Sequence, residues 1–148
     1  VFGVPLPRED DAGQRADARA AVHCAIAMER RLVGLNESWL ERTMPTGRLR
    51  VGIDSGFAVA GSLGSSDRLK YTVLGDISNT AARLEGLDDS SHDFETKRVR
   101  VLVSFRTREL LGDDFELVDR GEFMLKGKAI PVRAFEVLRA RAPGAGPE

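Results

Sequence analysis

Features that direct a protein to a particular compartment or partner are scarce in this sequence. Its 148 residues include one cysteine, Cys24, so no disulfide can form within the chain, and a reducing, cytoplasmic setting is expected. There is no run of about 18 apolar residues to suggest a membrane span, and no signal peptide is visible. The formal net charge is only −1, which argues against a dedicated nucleic-acid-binding protein because such proteins concentrate positive charge.

What the sequence does contain is the composition of one ordinary domain. Hydrophobic residues make up 42% of the chain and charged residues 30%, which is sufficient for a single core. We expect residues 1–139 to form that domain. Residues 140–148 are rich in proline and glycine, so we expect a disordered tail there.

A helix is predicted from about residue 11 to residue 43. Asp10 and Asp11 stand at its start, where negative charge is favoured by the helix dipole. Apolar residues recur at steps of three and four and predict a stripe that packs on a sheet. The stripe consists of Ala20, Cys24, Met28, Leu32, Leu35 and Trp39.

Residues 50–85 are the most informative stretch of the chain. Alternating apolar residues predict three strands, of which the second and third form a hairpin with one buried face. A helix follows from Ile77, with Asp76 in the N-cap position and Gly86 as its stop. The glycine-rich run 61–66 has no P-loop lysine and lies between two strands, so a hairpin turn is the better interpretation. The alternating residues are Leu49, Val51 and Ile53, then Val59 and Leu63, then Leu69, Tyr71 and Val73.

Two polar side chains on this predicted helix could serve chemistry. Asn79 and Arg83 are four residues apart and therefore project from one face. A guanidinium presents a planar fork of donors suited to phosphate, and an amide can hold a ribose or phosphate oxygen. On spacing alone, however, the same pair is typical of a solvated helix face.

The longer motifs around this pair resemble the class III nucleotidyl cyclases, the catalytic domains of adenylyl and guanylyl cyclases. The matching blocks are RVGI at 50–53, SG at 55–56, VAG at 59–61, GSS at 64–66, YTVLGD at 71–76, NTAARLE at 79–85, GEFMLKGK at 121–128 and PV at 131–132. The first seven residues, VFGVPLP, look like the end of the strand that follows the family's metal-binding hairpin. The resemblance covers nearly the whole chain.

This resemblance implies a fold and a reaction. The fold is an α/β (α+β) sandwich of the ferredoxin-like class III cyclase type, a largely antiparallel sheet with helices on one face, here N-terminally incomplete. The reaction is conversion of ATP to 3′,5′-cyclic AMP and pyrophosphate in intracellular signalling, with two Mg²⁺ or Mn²⁺ ions as cofactors. The family's metal-binding aspartates have no counterpart in this sequence, so we expect this polypeptide alone to be inactive.

The resemblance also implies roles for four residues. Asn79 would orient the ribose, and Arg83 would stabilise charge on the α-phosphate. Lys126 would bind the terminal phosphates, and Thr72 would read the adenine base. In the family these groups come from one protomer and the metal carboxylates from the other, so a homodimer with shared active sites is expected. An upstream sensory or membrane domain in the parent chain is also expected.

Other interpretations stay open at this point. The chain could be a catalytically inactive cyclase-homology module that acts in regulation or dimerisation, or it could belong to a guanylate cyclase. Residues 87–96 predict an exposed loop, in which His92 and Asp93 could bind a cation, although a solvated loop is the ordinary expectation. Beyond it, strands are predicted at 98–103 and 115–119, with a short helix capped by Ser104 between them.

Overall fold

The structure, a computed structural model, describes residues 1–6, 8–65, 68–87 and 92–142. Most of the expected tail, residues 143–148, therefore lies outside the described residues, as do parts of the hairpin turn and of the loop after residue 87. The helices and strands of the described residues are α1 (Asp11–Glu41), β1 (Leu49–Ile53), β2 (Val59–Ser65), β3 (Arg68–Leu74), α2 (Asp76–Glu85), β4 (Val99–Ser104), α3 (Phe105–Leu111), β5 (Phe115–Phe123) and β6 (Val132–Ala140).

Four strands form the main sheet in the order β1-β4-β6-β5. β1 and β4 are parallel, whereas β6 pairs antiparallel with both β4 and β5. β2 and β3 form a separate two-stranded sheet. The combination of helices with a largely antiparallel sheet confirms the predicted α+β architecture.

Helices cover both faces of the main sheet, not one face as expected. Val99, Val101 and Val103 of β4 share a core cluster with residues of α1 and α3. Leu102 points to the opposite face and packs with Leu84 of α2. Because β1 and β4 are parallel, the chain must cross over between them, and this crossover carries α2 onto the face opposite α1.

The face of α1 that packs on the sheet differs from the predicted one. Its buried apolar residues are Ala18, Val22 and Ala25, whereas Cys24 and Met28 of the predicted stripe are exposed. The prediction was wrong for these two positions, whereas Leu32 of the predicted stripe is half-buried and packs against the core. Two of the three buried apolar residues of the helix are alanines.

Side-chain hydrogen bonds to the backbone hold α1 at its start and near its end. The Asp10 carboxylate accepts a hydrogen bond from the backbone N–H of Gly13 at 3.3 Å, which confirms the predicted helix start. Asn36 is buried, and its amide donates to the carbonyl oxygen of Gly47 at 3.1 Å and accepts from its N–H at 2.7 Å. The turn that leads into β1 is therefore tied to the helix, which ends at Glu41.

The hairpin of β2 and β3 is confirmed, but its expected buried face is not. The strands pair from Val59 opposite Leu74 towards the turn. Leu69 and Tyr71 lie on one face of the hairpin and are 68% and 56% exposed, and Leu63 on the other face is 59% exposed. A two-stranded ribbon beside the main sheet buries little apolar surface by itself, so both faces present apolar side chains.

The ends of the chain differ from prediction in extent. Ser104 accepts a hydrogen bond from the backbone N–H of Thr107 at the start of α3, as predicted. β5 continues to Phe123, and β6 continues to Ala140, one residue past the expected domain boundary. Residues 1–4 form no strand in the structure, although the first seven residues resemble the end of one. Within the described residues, no helix has both the length and the apolar character needed to cross a membrane.

Candidate active site

The helix that carries two of the predicted site residues is α2. Thr80 and Leu84 are its buried residues and pack towards the sheet. Asn79 is exposed and Arg83 is half-buried. The helix therefore presents an amide and a guanidinium outward from a firmly packed element.

The start of α2 differs by one residue from the prediction. Gly75 occupies the N-cap position without a side-chain hydrogen bond, and Asp76 is the first helical residue. The carboxylate of Asp76 forms an ion pair with Lys128. At the other end, Gly86 follows the last helical residue, as predicted.

Gly52 sets how closely α2 lies on β1. A Cβ atom at Gly52 would lie 2.0 Å from the carbonyl oxygen of Ala81 and 2.5 Å from the backbone nitrogen of Glu85. Both atoms belong to the α2 backbone and cannot rotate away as a flexible side chain could. The glycine of the RVGI motif is thus required for the position of the helix that holds Asn79 and Arg83.

The turn that contains Lys126 lies against Arg83. Its backbone is closed by a 3.0 Å hydrogen bond from the N–H of Lys128 to the carbonyl oxygen of Leu125. A Cβ atom at Gly127 would lie 3.3 and 3.4 Å from the two terminal nitrogens of the Arg83 guanidinium. Lys126 is exposed beside this contact. Residues predicted from two separate motifs therefore meet on one surface, formed by α2 and the turn 125–128.

Thr72 lies on the neighbouring hairpin. It is half-buried on β3 and pairs with Gly61 of β2. Three residues separate it from Asp76, the first residue of α2. Asn79, Arg83 and Lys126 thus belong to the surface of α2 and the turn 125–128, and Thr72 belongs to the adjoining element.

A buried polar cluster beyond the end of α2 was missed by the sequence analysis. His92 is buried, with Nδ1 2.7 Å from Oε1 of Glu136 and Nε2 2.9 Å from the backbone oxygen of Lys97. Glu136 also accepts a hydrogen bond from Nε of Arg120 at 2.9 Å. The ring of Phe94 packs edge-on against the imidazole at a centroid distance of 4.4 Å. The loop expected to be solvated is therefore attached to the sheet at His92.

The sequence feature that could have predicted buried polar groups in this region is a pair of charged residues inside strands. Glu136 and Arg100 each interrupt an apolar run, and both are 1% exposed. A charge in such a place needs compensating partners. Arg100 donates to the backbone oxygen of Glu85 at 3.2 Å and also to that of Leu87, which satisfies carbonyl groups at the C-terminal end of α2.

Two exposed carboxylates outside this surface have lowered pKa values. A hydrogen bond from the Thr96 hydroxyl holds the pKa of Asp93 below its ordinary value. Asp93 thus has a hydrogen-bond partner within its own loop. A hydrogen bond from Arg133 likewise lowers the pKa of Asp119 and raises the pKa of Arg133.

The described residues do not form a metal centre. Among them, no group of three or more His, Cys, Asp and Glu side chains could hold a metal ion. These residues therefore do not fit the two cations that the cyclase resemblance implies.

Solved structures with this fold define the class of protein. The chain superposes on the adenylyl cyclase CyaB from P. aeruginosa with a TM-score of 0.80 and 30% sequence identity, covering 95% of this chain and 66% of that one. It superposes on the guanylyl cyclase Cya2 with a TM-score of 0.78 and 27% identity, covering 97% and 66% of the two chains. The fold is therefore that of a class III cyclase catalytic domain.

The chain belongs to the adenylate and guanylate cyclase catalytic domain family, which matches residues 1–137. This match confirms the resemblance that the motifs indicate. Among curated relatives, the adenylate cyclase 1 of Rhizobium meliloti (strain 1021) is 36% identical over 126 residues, which are 83% of this chain and 18% of that protein. The chain thus spans about a fifth of the length of that relative.

Proposed function

We propose that this chain is part of the catalytic domain of an adenylate cyclase, which converts ATP to 3′,5′-cyclic AMP and pyrophosphate. The ribose 3′-oxygen loses its proton and forms a bond to the α-phosphorus. The bond from that phosphorus to the bridging oxygen of the β-phosphate breaks, and pyrophosphate leaves. The observation that carries this proposal is the close approach of the turn that contains Lys126 to Arg83, on the helix that also exposes Asn79.

Each of these side chains has a task that suits its chemistry. Arg83 stabilises the negative charge that builds on the α-phosphate, and its half-buried position strengthens that interaction. Lys126 is a point charge on a flexible, exposed side chain and neutralises the terminal phosphates. The amide of Asn79 orients the ribose so that the 3′-oxygen faces the phosphorus.

The preference for ATP rests on Thr72. Its hydroxyl can accept a hydrogen bond from the exocyclic amine of adenine. Because Thr72 is half-buried on β3, a base that left this hydroxyl unpaired would bind less favourably. Relatives and solved structures of both the adenylate and the guanylate type match the chain.

We further propose that two copies of the parent protein form shared active sites. The hairpin of β2 and β3 supports this, since apolar residues on both its faces are exposed, and exposed apolar patches are typical of interaction surfaces. In such a homodimer, α2 and the turn 125–128 of one copy face carboxylates from the other, which bind the two divalent cations. The present sequence has no counterpart of those carboxylates, so this polypeptide alone is expected to form no cyclic nucleotide.

An assay of the parent protein and its Arg83→Ala variant tests the proposed function. Loss of one donor to developing charge is expected to lower kcat by about 10²–10³ with little change in KM. Lys126→Ala is expected to act mainly on KM. Arg106→Ala removes an exposed arginine of α3 and serves as the matched control, with kinetics near wild type. A parent protein that forms no cyclic nucleotide, or an Arg83→Ala enzyme with normal kcat, would contradict the proposal.

A further inference from the structure

The turn 125–128 contacts α2 at two separate points. The ammonium of Lys128 pairs with the carboxylate of Asp76 at the start of the helix. Gly127 lies against the guanidinium of Arg83. Asp76 and Arg83 are seven residues apart, which is about two helical turns and about 10 Å along the axis, on the same side. The turn therefore runs alongside the helix and does not touch it at one end only.

Asp76 is an acidic residue on a helix face that is proposed to meet phosphates. It stands three residues before Asn79 and seven before Arg83, so all three project from the same side. The Asp76 side chain is 74% exposed, whereas the Lys128 side chain is 20% exposed. An unpaired carboxylate in this position would repel a triphosphate. The enclosed ammonium of Lys128 neutralises it.

We propose that Asp76 and Lys128 are positioning residues of the nucleotide-cyclising site. Their ion pair holds the turn 125–128 along α2, so that Lys126 and Arg83 meet the triphosphate together. The pair also removes the repulsion that Asp76 would otherwise exert. Both residues act through their neighbours, without contact to the substrate. This inference rests on the proposed function.

Steady-state kinetics of the parent protein test the inference. Asp76→Asn and Lys128→Gln each break the pair and are expected to raise KM for ATP about two- to fivefold, which is the range for an exposed ion pair. The change in kcat is expected to be smaller.

The exchanged pair, Asp76→Lys with Lys128→Asp, restores the attraction and is expected to return KM towards wild type. Because a lysine at a helix N-terminus is unfavourable, the exchanged variant is expected to melt at a lower temperature. Recovery of KM without recovery of stability separates positioning from a merely structural role.

The pair of Asp119 and Arg133 supplies the matched control. It is an exposed ion pair that joins β5 to β6, so Asp119→Asn and Arg133→Gln are expected to leave KM unchanged. In an active enzyme, two results would overturn this inference alone. One is a wild-type KM in both Asp76→Asn and Lys128→Gln, and the other is a KM in the exchanged variant as high as in those single variants. A parent protein without cyclase activity would instead overturn the proposed function, and the positioning role with it.

Discussion

Gly127 is a residue at which backbone geometry bears directly on the candidate chemistry. Its φ of +76° lies in the left-handed region that favours glycine. A Cβ atom added here would lie 3.3 Å from a terminal nitrogen of the Arg83 guanidinium. A side chain at this position would therefore both strain the turn and displace the group proposed to stabilise charge on the α-phosphate.

Gly127→Ala is expected to lower kcat of the parent enzyme by roughly tenfold, because a shift of a few tenths of an ångström in Arg83 spoils its alignment. The backbone strain is expected to lower the free energy of unfolding by about 1 kcal/mol. Gly121 is a close control, since its φ is +91° but a Cβ atom there would meet no atom within 4 Å. Gly121→Ala should thus lose comparable stability with unchanged kcat. Equal kcat values for the two variants would show that Gly127 matters only for folding.

Thr72 is the residue on which substrate choice depends. In the parent enzyme, kcat/KM is expected to be clearly higher for ATP than for GTP, since a site built to pair with one base edge leaves polar groups unpaired when the other base binds. Measuring both nucleotides under identical metal conditions checks this, and Thr72→Val is expected to reduce the difference. Equal values, or a preference for GTP, would remove the adenylate assignment and leave the cyclase assignment in place.

Among the larger elements, residues 92–97 are held to the sheet more firmly than a surface loop. His92 bridges the carboxylate of Glu136 and the backbone oxygen of Lys97, while Arg100 binds carbonyl groups at the C-terminal end of α2. These contacts restrain the helix at the end opposite to Asp76. The position of Asn79 and Arg83 therefore depends on both ends of α2.

His92→Ala is expected to lower the free energy of unfolding by about 3 kcal/mol, because it removes one partner of a buried carboxylate. Urea denaturation of the purified protein measures this. The exposed His23 provides the comparison, since His23→Ala is expected to change stability by only about 0.5 kcal/mol. A His92→Ala protein as stable as the His23→Ala protein would mean that the buried cluster contributes little.

For the molecule as a whole, the exposed apolar side chains of the hairpin are not explained by the packing within one copy of the chain. Leu69 and Tyr71 are more than half exposed on the same face, and a two-stranded ribbon is marginally stable without further packing. A second copy that covers this surface would bury both residues. The proposed homodimer thus accounts for the hairpin as well as for the shared site.

The variant Leu69→Lys is expected to weaken dimerisation of the parent protein by about 2 kcal/mol, or roughly thirtyfold in dissociation constant. Analytical ultracentrifugation measures the change, and cyclase activity at low protein concentration should fall with the dimer. Leu40→Lys alters an equally exposed leucine at the end of α1 and is expected to leave the dimer intact. A Leu69→Lys protein that dimerises like wild type would exclude the hairpin from the interface.

Local patterns were sufficient to predict most of the helices and strands, whereas the candidate site residues came from the family resemblance. Alternation identified the strands, and Asp10 and Ser104 marked helix starts, because these signals depend on residues only a few positions apart. The order of the motifs was sufficient to identify the family. Asn79, Arg83, Lys126 and Thr72 could therefore be named from the sequence, although not their mutual arrangement.

The tertiary structure was needed for every feature that joins distant parts of the chain. It places α2 on the sheet face opposite α1, and it turns Ala18, Val22 and Ala25 of α1 towards the core in place of Cys24 and Met28. It pairs Asp76 with Lys128 across 52 residues and His92 with Glu136 across 44. Such pairs depend on which strands become neighbours in the sheet. The local sequence pattern predicts that the Asp76 carboxylate caps α2, but in the folded chain Lys128 lies close enough to pair with it.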